Sequence, residues 1–375
     1  MPEPVIEKLH QEVVDVLKQR FIGRDEVVDL IVLAAVAGEH LFLHGPPGTA
    51  KSAIIRLFAG AVHGHYFEYL LTRFSEPNEI FGPIDLVKLR EGTVATVTTG
   101  MLPEAEFVFL DELFNANSAI LNNLLSVLNE RVYRRGAERH SLPLLSLFAA
   151  SNHVPEDDTL RALFDRFLLR CHVGQVPRDA MPRLLVAGWE LETAKPPQTT
   201  VSAADLRGLS QLVQKVELTD ILTPYSDLIF KVRDLGVALS DRRSVKILKL
   251  VAASAVLCGR SVAAVSDFWV LRYVWDREEQ IGPLGSLVSG VVDSASSDLP
   301  RHPMSSKTRG LSAEEIAKEL DAIEAETRKG ELRLASVARM RERLGELSDH
   351  AGWISDESIR RHLTDRVAQL FRRIG

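Results

Sequence analysis

The fold of this chain is decided by the stretch Gly45-Pro46-Pro47-Gly48-Thr49-Ala50-Lys51-Ser52. It follows the apolar run Leu41-Phe42-Leu43 and precedes a helical stretch that begins at Ala53. A strand that ends in a glycine-containing turn and leads into a helix presents backbone N–H groups, and the positive end of the helix dipole, to an anion. This order of residues therefore predicts a phosphate-binding loop.

Two residues at the end of the loop have predicted roles of their own. Lys51 is expected to reach the β- and γ-phosphates of a nucleotide, and Ser52 to ligate Mg²⁺. Ala50 departs from the pattern G-x-x-x-x-G-K-[ST], because it stands where the last glycine is expected. Alanine fits if its φ is negative, since only a positive φ demands glycine. The alternative is a plain Gly/Pro turn between a strand and a helix.

Two carboxylates follow a second apolar strand, Glu106-Phe107-Val108-Phe109-Leu110. The end of a buried parallel strand is where α/β sheets bind their ligands. Asp111 is predicted to hold Mg²⁺, and Glu112 to orient or deprotonate an attacking water. The alternative is a pair of acidic residues that favour the dipole of a following helix.

A third apolar strand, residues 144–150, ends in Ser151-Asn152. Asn152 is a candidate for hydrogen bonding to the γ-phosphate or the lytic water, and an Asx turn is the alternative. Arg166 follows among apolar residues. It is either a packed partner of Asp165 or a finger delivered to the ATP of a neighbouring subunit, and periodicity does not choose between them.

Together these residues resemble the AAA+ ATPases of the MoxR/RavA type, in the branch with an insert in its second helix. The resemblance covers about residues 5 to 285. It is carried by the loop at 45–52, by Leu110-Asp111-Glu112, by the stretch from Leu121 to Arg131, by Ala150-Ser151-Asn152 and by Leu163-Phe164-Asp165-Arg166-Phe167.

The resemblance implies a P-loop NTPase core of the α/β class with a parallel sheet, an all-helical lid, and ATP and Mg²⁺ as cofactors. It makes Asn152 the sensor of the γ-phosphate and Arg166 a finger that acts in trans. It places Phe21 and Ile22 beside the adenine. A lid arginine that touches the γ-phosphate within the same subunit aligns best with Arg242, and Arg243 is the fallback.

Two β-hairpins are predicted outside the nucleotide motifs. One lies within residues 81–97 with Glu91-Gly92 at its turn, and the other lies within residues 132–140 with Gly136 near its tip. The resemblance implies that both point toward the pore of a hexamer and contact a substrate or partner. The alternative is a pair of surface hairpins without a partner.

The predicted domains are a nucleotide-binding core at 1–185, a helical lid at 186–284, a linker or irregular segment at 285–310, and a helical extension at 311–375. Ser202 is expected to cap a lid helix. In the extension, Ser312 and Glu315 suggest a capping box, and apolar spacing on both sides of Gly330 predicts a helical hairpin. A final helix, residues 356–374, is expected to bury Ile359, Leu363, Val367 and Leu370.

Composition limits the function further. A formal charge of −6 over 375 residues argues against a general nucleic-acid binder, for which a basic domain is expected. Two cysteines indicate neither a disulfide framework nor a metal pattern. We find no signal peptide and no apolar run of the ~18 to 20 residues that a membrane span needs, so a cytoplasmic protein is expected.

The resulting expectation is a Mg²⁺-dependent ATPase that assembles as a homo-oligomeric ring, most simply a hexamer. The resemblance implies that it remodels or matures a client complex in a chaperone-like way, together with a partner that carries a von Willebrand factor A domain. The sequence does not name the client. The alternatives are an ATP-driven nucleic-acid motor and a nucleotide-gated scaffold with little turnover.

Overall fold

The structure is a computed structural model. It describes residues 3–135, 138–155, 157–178, 180–191, 193, 197, 199–295, 299–306, 313–328, 340–341, 343–344, 347–348, 351 and 357–374. Its centre is a five-stranded sheet in the order β2-β3-β6-β1-β7, and every neighbouring pair is parallel. The strands of this sheet are β1 (Leu41–His44), β2 (Tyr66–Leu70), β3 (Phe107–Asp111), β6 (Ser146–Ser151) and β7 (Leu169–His172).

A separate two-stranded antiparallel hairpin consists of β4 (Val132–Arg135) and β5 (Glu138–Ser141). This confirms the second predicted hairpin, although its tip at Gly136 lies outside the described residues. The first predicted hairpin is confirmed only in part: Ile84 and Thr96 form an antiparallel bridge, but the segment between them is not a pair of strands that meet at Glu91-Gly92. Residues 86–90 form a short helix instead, because the side chain of Asp85 accepts hydrogen bonds from the N–H groups of Val87 and Lys88 and caps it.

The helices of the sheet domain precede, connect or follow its strands. They are α1 (Glu3–Lys8), α2 (Asp15–Arg20), α3 (Asp25–Ala37), α4 (Lys51–Ala61), α5 (Pro77–Phe81), α6 (Leu86–Arg90), α7 (Ser118–Glu130), α8 (Asp158–Phe164) and α9 (Met181–Leu191). A π-helical turn, Leu9–Val14, joins α1 to α2, and short 3-10 turns lie at Leu102–Glu104 and Leu113–Asn115.

Apart from an isolated bridge between Glu217 and Val262, the elements described after the sheet domain are helices. They are α10 (Ala203–Val213), α11 (Leu222–Asp234), α12 (Asp241–Leu257), α13 (Ile281–Ser294), α14 (Pro303–Ser306), α15 (Ala313–Arg328) and α16 (Glu357–Ile374), with 3-10 segments at Thr219–Ile221, Val265–Tyr273 and Glu278–Gln280. None of the described helices combines the length and the apolarity needed to cross a bilayer.

The parallel sheet brings the ends of three strands to one edge. In the strand register, His44 pairs with Ser151, and the chain enters the phosphate loop directly after His44. Asp111 ends the strand beside β6. Since ligands of α/β sheets bind at the carboxyl ends of the strands, the predicted motifs meet at the expected edge.

Helix α4 packs on this sheet through an apolar face. Ile54, Ile55 and Phe58 have no exposed surface. Burial of each such side chain contributes about 1.5–3 kcal/mol. This contribution fixes the start of α4, and with it Lys51, against the sheet.

The lid begins with a confirmed cap and extends further than predicted. The Ser202 hydroxyl accepts a hydrogen bond from the Asp205 N–H, and the Asp205 carboxylate accepts one from the Ser202 N–H. The prediction of an irregular segment at 285–310 is wrong for most of its described residues, since α13 runs to Ser294 and buries Leu284, Val288 and Val292. In this stretch the apolar spacing outweighs the Ser and Gly content.

The carboxyl-terminal helices have an apolar core of their own. Described members of this core are Ile316, Leu320, Ile323, Met340, Leu344, Leu347, Ala351, Leu363, Val367 and Leu370. This confirms the predicted stripes except Ile359, which is exposed, and Val337, which lies outside the described residues together with Ser312 and Gly330. Ion pairs link α16 to α15, for example Arg366 to Asp321 at 2.6 Å.

Candidate nucleotide-binding site

The phosphate loop is fixed at its root by a glycine that no other residue can replace without movement. The N–H of Gly45 donates to the carbonyl of Ser151 at 3.1 Å. A Cβ at Gly45 would lie 2.2 Å from the Val173 carbonyl oxygen. At the mouth of the loop, a Cβ at Gly48 would meet no atom within 4 Å. The loop is therefore tight at the sheet and open on the side that a phosphate would approach.

The Lys51 ammonium lies inside this loop. It donates to the carbonyl oxygens of Gly45 and Pro46, both at 2.8 Å, and Thr49 Oγ1 is 3.4 Å away. Burial lowers the pKa of Lys51, and the charges of Asp111 and Glu112 oppose this shift. A buried ammonium held only by neutral loop oxygens is well suited to exchange them for phosphate oxygens.

Arg24 adds a cation that sequence reasoning missed. Its Nε donates to the Thr49 carbonyl at 3.1 Å, and its pKa is lowered mainly by burial. Phe21 and Ile22 just before it are buried, as their predicted place near the base requires, although burial alone also fits plain core packing. Arg24 thus ties the turn at 21–24 directly to the phosphate loop.

Ala50 departs from the conformation expected of it. Its φ is +64° and its ψ is 20°, in the left-handed region, so the condition that made alanine acceptable is not met. A side chain in this region costs about 1–2 kcal/mol relative to the right-handed one. The phosphate loop therefore holds local strain at the residue before Lys51, as is common at functional sites.

This strain gives a stability prediction. Ala50→Gly is expected to raise the free energy of unfolding by up to about 1 kcal/mol, because glycine adopts a positive φ without strain but loses more entropy on folding. The matched control is Ala53→Gly in α4, which is expected to lower the free energy of unfolding by about 1 kcal/mol. Urea unfolding of both variants measures the difference. Equal destabilisation by the two glycines would contradict the strain at Ala50.

The carboxylate pair lies at the end of β3. The Asp111 Oδ1 accepts a hydrogen bond from the Glu112 N–H at 3.0 Å. Glu112 itself has a φ of +52°, which is again left-handed and again strained for a residue with a side chain. Such a turn directs the Glu112 side chain away from the course of the strand. The charges of Asp111 and Glu112 both raise the pKa of Lys51, so these three groups form one site.

Asn152 also lies at this edge of the sheet. It directly follows Ser151, whose carbonyl holds Gly45, and its side chain is exposed. Its Oδ1 is 2.8 Å from Nδ1 of His153. The structure thus brings Lys51, Asp111, Glu112 and Asn152 to one edge, as the motifs predict.

Arg166 lies at the opposite edge. It falls in the turn between α8 and the start of β7. Its side chain is 25% exposed, its nearest carboxylate oxygen, on Asp165, is 3.9 Å away, and its buried Nε has no hydrogen-bond partner. The packed ion pair in this stretch is formed instead by Arg170, which is buried against Phe164 and Asp276.

The lid arginines have different surroundings. Arg243 is buried and donates to Asp276 Oδ1 at 2.7 Å and to the Val274 carbonyl at 2.8 Å, which is a structural role. Arg242 is exposed and donates to Asn129 at the end of α7. Arg242 and Arg166 both act electrostatically on Lys246, so these three cations lie near one another.

This placement does not fit the predicted role of Arg242 within its own subunit. Lys246 and Lys249 pair with Glu39, which stands two residues before the start of β1 and therefore lies at the amino edge of the sheet. Lys51 follows β1 at the carboxyl edge. Because α12 packs along α3, its first turn is held away from the phosphate loop of the same chain.

Comparison with known proteins agrees with this geometry. Residues 7–211 match the model of the MoxR domain found in MoxR-vWA-beta-propeller ternary systems. This chain belongs to the MoxR family. Residues 219–288 of this MoxR protein match an AAA lid domain.

Relatives of this MoxR protein align over most of the chain. An uncharacterized protein of Methanocaldococcus jannaschii is 37% identical over 279 residues, or 74% of this chain and 71% of the relative. The chaperone MoxR1 of Mycobacterium tuberculosis is 25% identical over 275 residues, or 67% of this chain and 70% of that protein. A Cytophaga hutchinsonii crystal structure, provisionally described as an ATPase, superposes with a TM-score of 0.63 at 17% identity over 78% of this chain and 96% of its own.

Proposed function

We propose that this MoxR protein hydrolyses ATP with the help of Mg²⁺. The observation that carries the proposal is the position of Lys51, whose buried ammonium lies in the phosphate loop under the influence of both Asp111 and Glu112. In phosphoryl transfer, a loop and a lysine bind the phosphates while carboxylates hold the metal ion and orient the nucleophile. The loop at 45–52, Lys51 and the pair Asp111 and Glu112 supply these groups.

The donor set also fits a hard divalent cation. Ser52 begins α4 directly after Lys51, and Asp111 supplies a carboxylate, so hydroxyl and carboxylate oxygens are available together with the phosphates of ATP. Mg²⁺ held there would offset the negative charge of the phosphates.

The protein's own residues divide the reaction among them. Lys51 binds the β- and γ-phosphate oxygens. Glu112 orients the water and accepts its proton, since a carboxylate at hydrogen-bond distance is a competent general base. Asn152 donates from its side-chain amide to the γ-phosphate or the water. When phosphate is released, Asn152 loses this hydrogen bond. Its side chain then differs between the ATP-bound and ADP-bound states, so it can couple hydrolysis to a change in conformation.

The active assembly is proposed to be a homo-oligomeric ring, most simply a hexamer. Arg166 lies at the edge of the sheet away from Lys51, is partly exposed, and contacts Asp165 only at 3.9 Å, beyond hydrogen-bond distance, so it is available to the ATP of an adjacent subunit. Arg242 lies in the same group of cations. We therefore place it, too, on the face that meets the neighbouring subunit. A guanidinium supplied in trans offsets charge that develops in the transition state.

The proposed output is chaperone-like remodelling or maturation of a client protein complex, with a partner that contains a von Willebrand factor A domain. The support is the description of the family model and the name of the mycobacterial relative. The exposed apolar side chains of the insert at residues 81–97, among them Leu86, Val87 and Leu89, offer a contact surface for such a client.

The direct test of this function is a phosphate-release assay on the purified chain. We expect turnover with ATP and Mg²⁺, a return to the background rate when EDTA removes the metal, and recovery when Mg²⁺ is restored. An ATP concentration series with and without duplex DNA distinguishes the nucleic-acid motor, which DNA would stimulate in a salt-sensitive way. Phosphate release that stays at the background rate with ATP and Mg²⁺ would overturn the proposal.

A further inference from the structure

His44 and His172 end two neighbouring strands at the same level. They are paired in the parallel register of β1 and β7. Side chains at paired positions of adjacent strands lie on the same face of a sheet. Accordingly, the two imidazole rings are neighbours, with centroids 5.5 Å apart and planes at 56°. The fold itself therefore presents two imidazoles together at the edge that carries the phosphate loop.

A carboxylate joins them from the lid. Glu278 lies in the 3-10 turn Glu278–Gln280 and contacts Nε2 of His44 through its Oε1. One ligand atom of each of the three residues lies within 4.8 Å of the other two. In the part of the chain that the structure describes, no other group of His, Cys, Asp or Glu meets this limit.

We propose that His44, His172 and Glu278 bind a transition-metal cation of the zinc class and that this cation links the lid to the nucleotide-binding core. Two imidazole nitrogens and one carboxylate form a donor set typical of zinc sites with an open fourth position. Imidazole favours zinc, copper and nickel over Mg²⁺, which prefers oxygen. The site is therefore distinct from that of the Mg²⁺ proposed to accompany ATP.

The surroundings allow a cation to enter and the ligands to close on it. A cavity of about 1490 Å³ borders the site and is lined by His44 and Glu278 among others, so a water can fill the fourth position. Tetrahedral bonds of ~2.1 Å place ligand atoms about 3.4 Å apart. Ligand atoms that lie within 4.8 Å of one another therefore approach by at most about 1.4 Å, while the direct contact between His44 and Glu278 opens to admit the cation. His172 and Glu278 are both exposed and have room to rotate, while His44 is buried and fixes the position of the cation.

The position of the site means that a bound cation would connect the lid to the phosphate loop. His44 is followed directly by Gly45, the root of the phosphate loop, and Glu278 belongs to the region that matches the AAA lid. A cation bound by all three residues would hold the segment around Glu278 against that root. Occupancy of the site would therefore restrict movement of the lid relative to the core.

The test uses the full chain without an affinity tag, treated with chelator and free of nucleotide, and Zn²⁺ alone as the probe. Binding is measured by titration calorimetry, and amide hydrogen exchange is followed in residues 275–283. His172→Gln and Glu278→Gln remove one ligand each. His65→Gln and Glu279→Gln are the matched controls, since the first removes an exposed imidazole elsewhere and the second a neighbouring carboxylate that also lines the cavity.

We expect about one Zn²⁺ per chain in the unmodified protein and in both controls. Each ligand variant should bind Zn²⁺ at least about tenfold more weakly. Even the loss of a residue that only hydrogen-bonds to a metal ligand lowers metal affinity by about tenfold or more, and here a ligand itself is removed. Zn²⁺ should slow exchange in residues 275–283 in the unmodified protein and not in Glu278→Gln. Equal binding by the ligand variants and the unmodified protein would overturn the site. Loss of binding in His172→Gln alone would overturn the link to the lid.

Discussion

Glu112→Gln is expected to lower ATP turnover by about 10²–10⁴-fold while ATP remains bound, because the amide cannot accept a proton from the attacking water. Lys51→Ala is expected to abolish ATP binding itself, because it removes the buried cation from the phosphate loop. The two variants therefore separate binding from chemistry. Single-turnover hydrolysis and equilibrium binding of a fluorescent ATP analogue measure the two effects independently.

The control for this pair is Glu104→Gln, which removes a carboxylate just before the same strand. Glu104 accepts a hydrogen bond from Thr98 and lies outside the site, so turnover should be unchanged. Equal loss of ATP binding in Glu112→Gln and Lys51→Ala would contradict the assigned roles. A Glu112→Gln rate as fast as that of the unmodified protein would favour the nucleotide-gated scaffold.

Arg166→Ala is expected to lower turnover by about 10³-fold or more, as loss of an arginine finger does, while ATP affinity changes little. The reason is its location, since Arg166 lies away from the phosphate loop of its own chain and its contact with Asp165, at 3.9 Å, is longer than a hydrogen bond. Turnover as a function of ATP concentration measures both quantities. A fall in ATP affinity of the same size as the fall in turnover would indicate a structural role instead.

The matched control is Arg56→Ala. It removes an exposed guanidinium that pairs with Glu68 on the surface, so it should cost less than about 1 kcal/mol of stability and leave turnover unchanged. Thermal unfolding of both variants excludes a general loss of structure as the cause of any effect. If Arg56→Ala reduced turnover as strongly as Arg166→Ala, the assignment of the finger would fail.

The residues at the site-bearing edge of the sheet could be predicted because local sequence patterns identify them. Apolar strands, the loop at 45–52 and the carboxylates after β3 are set by short-range periodicity and by the parallel arrangement of the strands. Ser202 caps its helix as predicted for the same reason, since a cap needs only its own first turn. These features need no knowledge of distant contacts.

The features that could not be predicted depend on distant contacts. The positive φ of Ala50 reflects how α4 docks on the sheet, and the position of Arg242 reflects the packing of α12 on α3. Helix α13 replaces the expected irregular segment because its apolar residues find partners in the lid. His44 and Glu278 are neighbours in the fold but 234 residues apart in the chain, so no local sequence pattern predicts their contact.

The proposed ring requires that each ATP site is completed by Arg166 of an adjacent subunit. The most direct measurement mixes two variants that are each inactive, Arg166→Ala and Glu112→Gln, across a range of ratios while a tag on one confirms that mixed assemblies form. An Arg166→Ala subunit keeps its Glu112 and can receive Arg166 from its neighbour, so we expect recovered ATPase activity with a maximum at intermediate ratios. Mixed assemblies that stay inactive at every ratio would contradict the proposed ring.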